Sequence, residues 1–201
     1  MIGVVDYGIG NLHSAQKALR HVGGEAELIS SPDLIADADA LVLPGVGSFG
    51  RCADALSSAG WTEPLLVAIS AGMPFLGICV GFQLLYEGSA ESPDAVGLSV
   101  LKGSCRRLPS DQRCPQIQWN RIDCISGSTL LPEPLSEEWM YFVHSYAPPV
   151  GGETVATCSY GETIAAAIEK ENLFGAQFHP EKSGDAGLRY LRKFVDVVES
   201  Q

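Results

Sequence analysis

Apolar positions in the first half of the chain fall in short blocks that alternate with stretches of helical spacing. Ile2 to Tyr7 is a brief β-branched run; Leu12, Ala15, Leu19 and Val22 then recur three and four residues apart, and Gly23-Gly24 closes that helix. Glu25 to Ser30 and Ala40 to Leu43 read as further strands ending at turn residues, with helices expected over Phe49 to Ser58 and Thr62 to Ala71. The apolar run from Pro74 passes through Gly77-Ile78-Cys79-Val80-Gly81 straight into another helix. Strands alternating with helices imply a parallel sheet covered on both faces, with its functional site at the carboxyl ends of the strands. From about Val96 the pattern changes to closely spaced strands: Tyr141 to Ser145, Thr154 to Ser159, Thr163 to Glu169 and Leu173 to Phe178, separated by glycine- and asparagine-containing turns. These predict antiparallel strands extending one edge of the sheet. A last amphipathic helix carries Leu188, Leu191, Val195 and Val198 on one face. No repeat, low-complexity tract or linker interrupts the chain, so residues 1–201 are expected to form one domain.

Composition narrows the function classes. A chain of 201 residues buries roughly 70% of its unfolded surface and needs no staples. The six cysteines form no C-x-x-C pair and the four histidines show no zinc spacing, so neither a metal nor another cofactor is expected. The N-terminus runs directly into a strand pattern without a basic and apolar leader, and no apolar run approaches membrane-spanning length, which predicts a reducing cytoplasm. A formal charge of −11 argues against nucleic acid or an anionic membrane, and leaves open a basic face on another subunit.

The candidate chemistry centres on Cys79. A cysteine between glycines at a strand-to-helix junction has the form of a nucleophile elbow, in which Gly77 and Gly81 let strand and helix approach without Cβ clashes and the sulfur is displayed. The following helix directs its unpaired N–H groups at the sulfur, favouring the thiolate. Such a nucleophile needs a base. His21 falls near a helix end and His13 has no local carboxylate, whereas His179 follows the strand Leu173 to Phe178 and has Glu181 two residues on. Period-2 alternation predicts both side chains on one side of the strand end, the carboxylate holding one ring nitrogen protonated and turning the other to the sulfur. The order Cys…His-x-Glu differs from that of an α/β-hydrolase, whose acid precedes the histidine. A thioester route requires two N–H donors for its oxyanion. Val80 N–H is one natural donor, and the loop Pro44-Gly45-Val46-Gly47-Ser48-Phe49 is placed to supply the other.

Gly77-Ile78-Cys79-Val80-Gly81-Phe82-Gln83 together with Phe178-His179-Pro180-Glu181-Lys182-Ser183 resembles the class I, triad-type glutamine amidotransferases, over essentially the whole chain. Asp6 to Leu12, the Pro44 to Phe49 loop, Trp119-Asn120 and Tyr141 to Tyr146 resemble more narrowly the branch of that family that serves histidine biosynthesis. The resemblance implies a flavodoxin-like, mostly parallel α/β sheet; Cys79, His179 and Glu181 as the triad; and Val46 and Val80 as oxyanion donors. It further implies that Gly47, Gln83, Glu91 and Ser145 hold L-glutamine. It implies, finally, a heterodimer with a cyclase subunit built as a (β/α)8 barrel, contacted through Asn11, Trp119, Tyr141 and Lys182. A tryptophan on a loop suits an interface anchor, and a lysine beside the triad glutamate can reach a partner carboxylate.

One segment departs from that branch. Where it has proline, histidine, an apolar residue, glycine, tryptophan and asparagine, this chain reads Cys114-Pro115-Gln116-Ile117-Gln118-Trp119-Asn120. Should Gln118 need a positive φ, the cost is on the order of 1 kcal/mol. Two alternatives stay open: the class I glutaminase of pyridoxal phosphate synthesis, whose oxyanion loop normally has paired glycines, and a non-catalytic scaffold that retains the fold to bind a partner.

Overall fold

The apolar runs of the first half become four neighbouring strands of the main sheet, three inside it and one at its edge. These are β1 (Ile2–Val5), β2 (Ala26–Ile29), β3 (Ala40–Gly45) and β4 (Phe75–Cys79). The computed structural model describes residues 1–125, 128–131 and 138–201. In it β1 pairs in parallel with β2 and β3, and β3 in parallel with β4. Every residue of β3 and β4 is buried, as a parallel sheet covered on both faces demands. Helices α1 (Leu12–His21), α2 (Phe49–Ser58) and α3 (Thr62–Ser70) connect these strands. Ala15, Ala18 and Leu19 form the buried face of α1, and the N–H groups of Gly23 and Gly24 return to Arg20 and Leu19 carbonyls to end it.

Beyond β4 comes α4 (Val80–Gln83), a single turn. Short strands follow: β5 (Gly88–Ser89), β6 (Ser104–Arg107), β7 (Gln116–Arg121), β8 (Asp123–Cys124), β9 (Trp139–His144) and β10 (Tyr146–Ala147). Longer ones close the chain, β11 (Thr154–Tyr160), β12 (Glu162–Lys170) and β13 (Leu173–Ala176), before α5 (Gly184–Glu199). The main sheet runs β2-β1-β3-β4-β13-β12-β11-β8. It is parallel as far as β13 and antiparallel from β13 to β8, with helices on both faces. The fold class and its antiparallel extension are those expected. Leu191 and Val195 lie at the centre of the buried face of α5 with Tyr190 and Phe194, while Leu188 and Val198 sit at its margin.

Several expectations need correction. The helix after Cys79 is one turn long, too short to assemble a full dipole, so its contribution at the sulfur rests on its first N–H groups. Trp119 lies on strand β7, not on a loop: Gln116–Arg121 pairs antiparallel with β9, Gln118 opposite Phe142 and Trp119 opposite Tyr141. Gln118 is therefore extended and is not among the residues with positive φ, so the glutamine carries no left-handed strain. Strand β13 stops at Ala176, and Pro180–Lys182 forms a 3-10 turn; alternation along a strand does not bring His179 and Glu181 together. Among the described residues no helix is long and apolar enough to cross a membrane.

Candidate active site

Strand β4 ends in a strained residue. Cys79 has φ 55° and ψ −112°, a conformation that costs a side-chain-bearing residue about 1–3 kcal/mol. Its surroundings leave no other path. A Cβ on Gly81 would stand 1.8 Å from the Leu43 carbonyl oxygen, and one on Gly77 would stand 2.7 Å from the Phe82 Cα. Glycine at both places lets α4 cross β3 and β4 at backbone contact.

The thiol is not displayed to solvent: Cys79 is only 3% exposed. It sits at the floor of a cavity of about 420 Å³, a size suited to a small metabolite. The sequence could not reveal this, because the cover comes from distant segments. Cys79 Sγ donates to the Val143 carbonyl at 3.8 Å and accepts from Gln177 Nε2 at 3.9 Å, both long contacts. Gln177 Oε1 in turn accepts from Gln83 Nε2 at 3.0 Å, which also donates to the Tyr146 carbonyl at 2.8 Å. Both Gln83 amide protons are thus engaged within the protein, leaving its carbonyl oxygen for a ligand.

His179 and Glu181 meet through the 3-10 turn, with Nδ1 and Oε1 2.8 Å apart and both side chains 2% exposed. Ser183 clamps the segment, its hydroxyl donating to the His179 carbonyl and accepting from Tyr141 N–H. Gly187 completes the packing, since a Cβ there would lie 2.0 Å from the Pro180 carbonyl oxygen. Burial alone would lower the His179 pKa, but Cys79 and the Glu181 carboxylate outweigh it and raise the imidazole to about 10. The Nδ1 proton belongs to the carboxylate contact; Nε2 is buried without a hydrogen bond among the described residues, available to a proton in transit. His144 behaves oppositely. Burial lowers it to about 4 against the opposing pull of its Nδ1 bond to the Tyr146 carbonyl, so it lines the same cavity as a neutral ring.

The cavity gathers most of the remaining candidates. Val46, Gly47, Val80, Gln83, Glu91, Ser145, Asn11 and Lys182 all line it with Cys79 and His179. Gly45 is the last residue of β3 in register with Cys79, which brings the Val46 loop beside the elbow. Glu91 has a structural duty as well, its Oε2 accepting the Phe49 N–H of α2 at 2.7 Å, so its other lone pairs are what remain for a substrate amine. Trp119 and Tyr141 do not line the cavity. They stack edge to face, 6.0 Å between ring centroids, on the outer side of the β7–β9 ribbon. Ile117, Trp119 and Trp139 are 59%, 47% and 57% exposed there, and Val143, opposite Ile117, carries the apolar face to the cavity. Gln177 and His144 were not candidates from sequence. Gln177 was findable, standing two residues before His179; nothing local marks His144. Of the other cysteines, Cys52, Cys105 and Cys158 are buried with raised pKa values, and no disulfide is present among the described residues.

Residues 3–198 match the family described as glutamine amidotransferase class-I. The imidazole glycerol phosphate synthase subunit HisH of Methanothermobacter thermautotrophicus is 46% identical over 201 residues, covering all of both chains. The imidazole glycerol phosphate synthase hisHF of Emericella nidulans is 43% identical over 98% of this chain and 38% of its own length. The fold also matches the solved structure of PurLQS from Thermotoga maritima, with a TM-score of 0.78 and 20% identity over 98% of this chain and 97% of that one.

Proposed function

The chain belongs to the class I glutamine amidotransferases and, within them, to the family of imidazole glycerol phosphate synthase HisH subunits; from that premise we propose how its residues release ammonia from glutamine. The Cys79 thiolate attacks the side-chain amide carbon of L-glutamine, and the carbonyl oxygen becomes an oxyanion received by Val80 N–H and Val46 N–H. His179, protonated and held by Glu181, gives its Nε2 proton to the departing nitrogen as the C–N bond breaks. Ammonia leaves and a thioester remains. Water then loses a proton to His179 and attacks the thioester carbon; the C–S bond breaks, glutamate departs and the thiolate is restored. Gly47, Gln83, Glu91 and Ser145 seat the amino-acid end of the substrate. The observation that carries this scheme is the strained, buried Cys79 sharing one cavity with a His179 that burial alone would leave neutral and Cys79 and Glu181 together keep charged.

Ammonia passes to a cyclase subunit, which uses it with phosphoribulosyl-formimino carboxamide ribotide to make imidazole glycerol phosphate and aminoimidazole carboxamide ribotide in histidine biosynthesis. The cyclase is a (β/α)8 barrel seated on the Ile117–Trp119–Trp139 face beside Asn11, Tyr141 and Lys182. The area of exposed apolar surface at the cavity's edge supports that docking, as does the Emericella relative, whose longer chain is named for both subunits. Residues 1–201 work as one glutamine amidotransferase domain, supported by a single apolar cluster from β1 to α5. Thiols without disulfides suit the cytoplasm. The Gly45-Val46-Gly47 loop makes the Val46 donor conditional: it is presented when the cyclase and its ribotide substrate are bound and withheld otherwise.

The test is Cys79→Ala in the complete complex. Glutamine-dependent synthesis should fall to background while synthesis from added ammonium salts at high pH continues. Retained glutamine hydrolysis would refute the assignment.

A further inference from the structure

Two buried side chains with no part in that scheme reach the oxyanion loop from the protein interior. Tyr7, just after β1, donates its hydroxyl to the Pro44 carbonyl at 2.9 Å, and Cys52, in the first half of α2, donates its thiol to the Val46 carbonyl at 3.2 Å. Tyr7 is 5% exposed and Cys52 fully buried. Burial raises the pKa of both, reinforced at Tyr7 by Cys52 and outweighing at Cys52 the opposing pull of its hydrogen bond with Tyr7, so each keeps its proton and remains a donor.

The carbonyls they hold belong to the Pro44–Gly45 and Val46–Gly47 peptides. In a planar trans peptide the N–H points away from the C=O, so fixing the oxygen fixes the opposite edge too. Between these two lies one peptide that no side chain among the described residues holds, Gly45–Val46, tied only through the pairing of Gly45 with Cys79 at the end of the β3–β4 ladder, and its N–H is the Val46 donor. Gly45 has no room to shift as a body: a Cβ there would stand 2.5 Å from Gly81 N. Turning that peptide changes ψ of Gly45, which as a glycine tolerates the change, and φ of Val46, while Gly47, at φ 88° with nothing within 4 Å of where its Cβ would be, lies beyond the pinned Val46–Gly47 peptide.

We infer that Tyr7 and Cys52 are positioning residues that pin the loop on both sides of Val46, confining reorientation to the single Gly45–Val46 peptide. The donor then has defined settings instead of a continuum. The inference rests on the conditional donor described above and goes beyond it, in naming what holds the rest of the loop still while that peptide turns.

The experiment measures steady-state glutamate production for the parent, Cys52→Ala, Cys52→Ser and Tyr7→Phe. Each is assayed alone, with the cyclase, and with the cyclase plus its ribotide substrate, and each complex is also melted thermally. In the fully activated complex Cys52→Ala and Tyr7→Phe should each lose about tenfold in kcat, a part of the 10²–10³ that follows loss of a whole oxyanion donor. KM should stay within about twofold, since neither Tyr7 nor Cys52 lines the cavity. Cys52→Ser, which restores a donor, should recover most of kcat. A purely structural role would lower the melting temperature without this split of kcat from KM and without rescue by serine. Folded Cys52→Ala and Tyr7→Phe complexes as fast as an activated parent would overturn the pinning alone; a parent equally fast in all three states would overturn the conditional donor, and the confinement with it.

Discussion

At the end of β4, Gly77 and Gly81 are glycines because a Cβ has nowhere to go; next door, after β3, Gly47 is a glycine although space is open around it, because its backbone turns to φ 88°. The first kind of glycine permits contact and the second permits a left-handed backbone. The elbow therefore holds Cys79 in one strained geometry, while the loop proposed to supply the second oxyanion donor leaves open space at Gly47. Control that acted on the sulfur would have to repack β3, β4 and α4 together. Control that acts on the loop need turn only one peptide.

The sharpest break of this contrast is Gly81→Ala. Its Cβ would meet Leu43 backbone atoms at 1.8 and 2.8 Å, and overpacking against backbone should cost about 3 kcal/mol or more, read as a large fall in the urea midpoint or as failure to fold. A midpoint close to the parent's would mean that the elbow has slack after all. The next effect belongs to the loop. The isolated chain should hydrolyse glutamine poorly and gain at least about a hundredfold in kcat with the cyclase and its ribotide substrate, the scale of one oxyanion donor. Equal rates in both states would remove the distinction between fixed and adjustable halves.

The two histidines of the cavity give an intermediate effect with opposite signs. His179 titrates near 10 in the fold against about 6.5 unfolded. Its stabilisation is complete below pH 6.5 and is lost as pH rises toward 10. His144 titrates near 4. The unfolded chain then takes up its proton first, and stability falls as pH drops from 6.5 toward 4. Urea midpoints against pH should decline on both sides of neutrality, and His144→Phe should flatten the acid limb alone. An unchanged acid limb in that variant would show that another group sets it. The smallest effect is Gly47→Ala. With open space but a left-handed backbone, it should fold and lose about 1 kcal/mol; a loss equal to that of Gly81→Ala would erase the contrast.

Legibility differed by element for physical reasons. Helix α2 is readable to the residue because Phe49, Cys52, Ala53 and Leu56 recur at helical spacing on a buried face. Strand β7 is not. Its alternation is inverted, with Gln116 buried and Ile117 and Trp119 outside, so it reads as a polar loop until β9 is seen beside it. Cys79 and the pair His179 and Glu181 could be singled out from glycine placement and spacing. The route by which the pair meets could not, because Pro180 starts a 3-10 turn where alternation suggested a strand. His144 gives no local signal at all; its neutrality comes from burial that other segments provide.

The amino-acid sequence by itself determined the alternation of strands and helices in the first half, the change to antiparallel pairing in the second half, the need for glycine around Cys79 and the family to which the chain belongs. Those properties are written in periodicity and sterics within a few residues of each other. Tertiary structure alone decided that Cys79 is sheltered, that Gln177 and Gln83 link the sulfur to the Tyr146 carbonyl, and that Tyr7 and Cys52 reach the loop from beneath. Each of these joins residues far apart in the chain. Periodicity states which face of an element is buried, but not which element will cover it; that follows from the strand order of the sheet, where β13 comes to lie beside β4 and brings the segment after it to the sulfur.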